Sequence, residues 1–60
     1  LGMNFIEYLT RIRVEEAKRL LLETSQTVSE IAASVGYQDP SYFTKVFKKI
    51  EGQTPTEFRR

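Results

Sequence analysis

Sixty residues allow one small domain at most, and with no cysteine and no histidine there is no disulfide, thiolate metal site or imidazole base. The net charge is only +1, but it is unevenly spread. Four basic residues offset four acidic ones between Phe5 and Thr24, whereas Pro40 to Glu51 holds three lysines against one glutamate and the sequence closes on Arg59-Arg60.

These counts exclude several classes of function. No apolar run approaches the roughly 20 residues that cross a bilayer, so no membrane is expected as a partner, and polar residues break any signal-peptide pattern at the start. An enzyme is not expected, because no glycine-rich phosphate loop or facing carboxylate pair accompanies the missing histidine and cysteine. No cofactor and no metal are expected either.

Leu1-Gly2 reads as the end of an earlier helix, and Asn4 as the cap of a new one with Glu7 able to reach back to it. The first helix is expected from about Phe5 to Glu23, with no proline or glycine inside. Phe5, Leu9, Ile12 and Leu20 form one apolar stripe with Ile6 beside it, and Val14, Ala17 and Leu21 form a second, displaced stripe. Two stripes fit a strut between two packed units; the alternative is that Leu20-Leu21-Leu22 thickens a single core. Glu7, Arg11, Glu15 and Lys18 occupy the remaining face, at spacings that allow weak ion pairs.

After a polar connection at Thr24 to Gln26, Thr27-Val28-Ser29-Glu30 is a capping box. Val28, Ile31, Ala32 and Val35 give the stripe of a short helix ending near Ser34, and Gly36 can take the left-handed backbone that stops it. Asp39 then caps a further helix with Pro40 in its first position and Gly52 as its stop. Phe43, Val46, Phe47 and Ile50 line its apolar side; Ser41, Thr44, Lys45 and Lys48 line the other. Thr54-Pro55-Thr56-Glu57 is another capping box, which starts a last short helix with Phe58 expected beneath the preceding one. A short capped helix, a glycine turn and a second capped helix with a basic outer face make a helix-turn-helix.

These residues resemble the DNA-binding domain of AraC/XylS-type transcription regulators. Tyr8-Leu9, Arg13, Ala17 and Leu20-Leu21 carry the resemblance in the first helix, and Ile31-Ala32 with Val35-Gly36-Tyr37 carry it in the second. The most specific block runs from Tyr42-Phe43 through Phe47-Lys48-Lys49 to Gly52, Thr54-Pro55 and Phe58-Arg59. The resemblance implies an all-α fold: a long linker helix followed by a helix-turn-helix and a short C-terminal helix, a homeodomain-like three-helix unit. It implies that residues 1–24 are the linker helix, with 1–2 the remnant of a missing first helix-turn-helix, and that 25–60 are the second unit. It also implies a larger parent with an upstream sensor or receiver domain, working in the bacterial cytoplasm and on the nucleoid when bound.

The partner implied is double-stranded DNA, bound sequence-specifically in transcription regulation, with the helix from about 40 to 51 in the major groove. The family pattern gives Pro40, Ser41, Tyr42, Thr44 and Lys45 as base contacts. Lys48, Lys49, Thr27, Ser29 and Gln38 are expected at phosphates. No arginine, asparagine or glutamine sits on the reading face, so bidentate base recognition is missing and discrimination is expected to be modest. Tyr42 is also readable as a core-edge aromatic, and Arg13 as the partner of a carboxylate such as Glu16. Tyr37 is expected to pack against the helix pair. Arg59 and Arg60 read either as phosphate contacts or as a frayed end, the second being preferred. A different function would be a helical interaction module, self-associating through the apolar faces of the helix over 5–23.

Overall fold

The computed structural model describes residues 4–60, so the reading of Leu1-Gly2 as a helix remnant lies outside the described residues. Four helices follow in order: α1 (Phe5–Glu23), α2 (Val28–Ser34), α3 (Pro40–Glu51) and α4 (Pro55–Arg59). The all-α expectation holds element by element.

Each helix begins on a side-chain cap. Asn4 accepts from the Glu7 N–H at 2.8 Å, Thr27 from Glu30 at 3.1 Å, Asp39 from Ser41 at 2.9 Å and Thr54 from Glu57 at 3.1 Å. Glu30 and Glu57 complete their boxes by accepting from the Thr27 and Thr54 backbone at 2.8 Å. Glu7 contributes its N–H alone; the expected return bond from its side chain is not among the described hydrogen bonds.

The ends are equally definite. α2 closes on a Schellman arrangement, with Gly36 N–H to Ala33 O at 3.1 Å and Tyr37 N–H to Ala32 O at 2.8 Å. Gly36 sits at φ 104° there, a backbone state that costs glycine nothing and strains any other residue. α3 stops at Gly52, whose N–H reaches Lys48 O at 2.8 Å.

The core is Val14, Ala17 and Leu21 from α1, Ile31, Ala32 and Val35 around α2, and Phe43 and Phe47 from α3. Leu20, Val28, Tyr37, Val46, Ile50 and Phe58 close its edges. Ala32 is fully buried, and its small side chain lets α2 lie close to its neighbours. The aromatic rings run in sequence: Tyr37 to Phe43 at 5.5 Å, Phe43 to Phe47 at 5.9 Å, and Phe47 to Phe58 edge-on at 5.7 Å. Phe58 therefore lies against α3, as its position predicts.

The two stripes of α1 part company. Val14, Ala17 and Leu21 are in the core, whereas Phe5 is 74% exposed, Ile6 73% and Ile12 46%. Leu22 and Tyr8 also face outward. Leu21 alone of the leucine triplet is buried and Leu20 is at the edge, so the triplet does not thicken one core.

Two sequence expectations are corrected here. Arg59 is not frayed: its Nε donates to Leu21 O at 3.0 Å and its Nη2 to Thr24 O at 3.2 Å. α1 has no basic residue in its last turn, so a cation from α4 meets the negative end of that helix. Arg13 does not pair with Glu16. That carboxylate is taken by Arg19, and the Arg13 guanidinium lies over the Tyr37 ring, 5.3 Å from its centroid. No helix among the described residues is long and apolar enough to cross a membrane.

Candidate nucleic-acid interface

The outward side of α3 follows from its inward side. Phe43 and Phe47 fix which way the helix faces, and at 100° per residue Lys45 then points directly away from them. Ser41 and Lys48 flank it on one side, Tyr42 and Lys49 on the other, and all five are exposed. Pro40 and Thr44 are half-buried at the flanks, Pro40 in the first turn and Thr44 a quarter-turn from the core direction. Of the expected base contacts, then, Ser41, Tyr42 and Lys45 stand clear, while Pro40 and Thr44 show only their edges. Tyr42 sits at the core edge: the residue is 57% exposed, yet its ring centroid is 5.9 Å from that of Tyr37.

Charge on this side is unspent. Among the described residues Lys45, Lys48 and Lys49 enter no salt bridge. On α1 two cations are committed. Lys18 bridges Glu15 at 3.2 Å and Glu51 at 3.3 Å, tying α1 to α3, and Arg19 holds Glu16 and Glu23. The bond from Glu15 and the one from Glu51 raise the Lys18 pKa against the opposing effect of burial. Those two ends of α1 and α3 are thereby neutralised, while the outer side of α3 carries three lysines with no carboxylate partner among the described residues.

The expected phosphate contacts are placed unevenly. Lys48 and Lys49 lie on opposite flanks of Lys45. Thr27 and Ser29 are exposed at the start of α2, but the Thr27 hydroxyl oxygen already accepts from Glu30, whose carboxylate sits on the Thr27 N–H. An anion approaching there meets a carboxylate first. Gln38 is exposed in the turn between α2 and α3. Among the described residues no group of acidic side chains could hold a metal ion.

Tyr42 and Lys49 also rim a groove of about 420 Å³ between α1 and α3. Ile6, Val46 and Ile50 supply its apolar lining and Arg11 stands on its far wall. Each of these residues was assignable to one helix or the other by spacing, but spacing does not show that the helices bring them together. The role of Arg13 was missed in the same way. Its one visible sign was position: on the helical wheel it falls between the buried and exposed stripes of α1, where a long side chain reaches over the core edge.

Comparison with known proteins places this geometry. A family profile described as a helix-turn-helix domain matches residues 1–60. The chain is 48% identical over 60 residues to the HTH-type transcriptional regulator YisR of Bacillus subtilis, covering all of this chain and 21% of that protein. It is 49% identical over 61 residues to the transcriptional regulatory protein YesN of the same organism, covering 98% of this chain and 17% of that protein. The chain thus spans about a fifth of the curated relatives it matches. Among solved structures it superposes on the C-terminal domain of the two-component response regulator yesN from Fusobacterium nucleatum with a TM-score of 0.96 and 43% identity, covering all of this chain and 58% of that one. This chain belongs to the helix-turn-helix family of AraC/XylS-type transcription regulators, whose domains bind DNA sequence-specifically.

Proposed function

We propose that α3 is the recognition helix and enters the major groove of duplex DNA, with Ser41, Tyr42 and Lys45 toward base edges and Lys48 and Lys49 toward phosphates on either side. The observation that carries this reading is the row of three exposed lysines on the outer side of α3, none held by a carboxylate among the described residues. A groove about 12 Å wide admits one helix. Lys45, opposite the core, reaches deepest and can donate to guanine O6 or N7; the Ser41 hydroxyl can bond several base edges. Thr44 offers its methyl group to a thymine methyl, and Pro40 makes an apolar edge contact. Thr27, Ser29 and Gln38 supply uncharged phosphate contacts that orient without adding charge.

Residues 1–24 are read as a linker helix with a preceding helix-turn-helix on its outer face, and 25–60 as the second unit. Exposed Phe5, Tyr8 and Ile12 support this, as does the length of the Fusobacterium domain, of which this chain covers 58%. That domain comes from a two-component response regulator, which supports a receiver upstream in the parent. The chain itself is then a DNA-binding part without catalysis, acting on cytoplasmic DNA. The same exposed face favours a second reading, self-association through α1, which needs no DNA.

An amide NMR titration of the labelled chain with a short duplex at low salt tests the first reading. Shifts gathered on 27–29 and 38–49 are expected. A folded spectrum that does not move with DNA, but broadens as the chain is concentrated, replaces it with the second.

A further inference from the structure

Resting on the reading of α3 as the groove-reading helix, we propose that Arg13 is a positioning residue for DNA binding. From α1 it holds the turn between α2 and α3 and, through Tyr37, the Tyr42 ring at the DNA-facing start of α3.

Three observations meet on this side chain. The guanidinium lies over the Tyr37 ring, with Cζ 5.3 Å from the centroid. The same group closes over Gly36: a Cβ added there would stand 3.2 Å from Arg13 Cζ and 3.3 Å from its Nε and Nη2. Tyr37 in turn touches two residues of α3, Tyr42 at 5.9 Å and Phe43 at 5.5 Å. Phe43 is fully buried and cannot give, whereas Tyr42 is more than half exposed and can. A shift of the Tyr37 ring is therefore passed outward, to the DNA side.

The place of this contact matters. Only Tyr37, Gln38 and Asp39 separate Gly36 from the first residue of α3, so whatever fixes Gly36 and Tyr37 fixes where α3 begins. Arg13 adds little to the core, which Val14, Ala17 and Leu21 already supply from α1. Nor is it held by a carboxylate among the described residues. A flat guanidinium can lie on a ring and against a glycine backbone at once; an ammonium of equal charge has no plane with which to do so.

The test uses the chain, a duplex it selects from a randomised pool, and a shuffled duplex of the same composition, with binding read by anisotropy well below the melting temperature. Arg13→Lys keeps the charge and loses the plane. It is expected to weaken the selected duplex by about two- to fivefold, the range a cation–π contact carries, and to leave the shuffled duplex within about twofold because the charge available to phosphates is unchanged. In the free variant the Tyr42 ring resonances shift. In a Tyr42→Ala background Arg13→Lys brings little further loss, because the ring it positions is already gone. Arg13→Gln repeats the loss of preference without the charge.

Equal losses on both duplexes would make Arg13 a phosphate contact and overturn the proposal. Fully multiplicative losses with Tyr42→Ala, or no loss at all, overturn it too. So does unfolding of both variants, which would make the guanidinium a group that only holds the fold. A folded wild-type chain with no preference for its selected duplex defeats the groove reading itself, and this proposal with it.

Discussion

Lys45 and Lys48 sit three residues apart on one helix, yet their surroundings differ, and on the proposed reading they do different work. Lys45 points straight out from Phe43 and Phe47 with no carboxylate beside it, while Lys48 leans toward the start of α4, close enough to lower the Glu57 pKa. Lys45→Ala is expected to weaken the selected duplex more than a shuffled one, by about 1–3 kcal/mol in discrimination if it reads a guanine. Lys48→Ala is expected to weaken both by similar amounts. Anisotropy titrations in which the two substitutions behave alike would end that division. Arg59 makes a different kind of residue-scale claim. Its two bonds to Leu21 O and Thr24 O are made by a charged, part-buried donor. Arg59→Ala is expected to cost about 1.5–3 kcal/mol in a urea titration, with DNA affinity of the folded fraction unchanged; an unchanged midpoint would return Arg59 to the solvent.

Among the elements, α4 shows how five residues are held as a helix. Its capping box joins Thr54 and Glu57 by two bonds, and chiefly the Thr54 backbone N–H, then its hydroxyl, depress the Glu57 pKa. A depressed carboxylate stabilises the fold above its unfolded pKa, and that contribution fades as pH falls through the folded value. Glu57→Gln is therefore expected to lower the melting temperature at pH 7 and to melt with the wild type near pH 2. Parallel curves over the whole range would show that the ionised carboxylate adds nothing. Caps of this kind were legible in the sequence because they are local: each joins residues two or three apart. The apolar stripes were legible for the same reason, and they gave the core almost residue for residue. Arg13 and Arg59 were not, since their partners lie far along the chain. Glu16 had an arginine three residues away on either side, and spacing could not choose. The structure chooses Arg19, downstream of the carboxylate, the orientation a helix favours, and leaves Arg13 to Tyr37. The site was legible in outline only. Thr44 was grouped with Ser41, Lys45 and Lys48 on the outer side, but measured from Phe43 and Phe47 it stands only a quarter-turn from the core and is half-buried.

At the scale of the molecule, α1 serves two sides and only one is filled. Val14, Ala17 and Leu21 close the core beneath it, while Phe5, Tyr8 and Ile12 wait on the other side. A chain of 60 residues has little stability in reserve. Phe47 is fully buried, and Phe47→Ala is expected to unfold the chain at 25 °C, since such a change costs about 3–5 kcal/mol; an unaltered melting curve would remove Phe47 from the core. DNA binding should show the same incompleteness. Lys48 and Lys49, with Lys45 when no guanine engages it, offer two or three charges to phosphates, so log K should fall against log salt with a slope of roughly −2 to −3. On the proposed reading, joining the preceding segment of the parent would add a second set of contacts and cover the bare side of α1. Slope and melting temperature should therefore both rise in magnitude in the longer chain. A slope near −6 for the 60 residues alone would mean that cations off α3, such as Arg11 across the groove, already lie along the DNA. The division of labour between the two units would then have to be redrawn around α1.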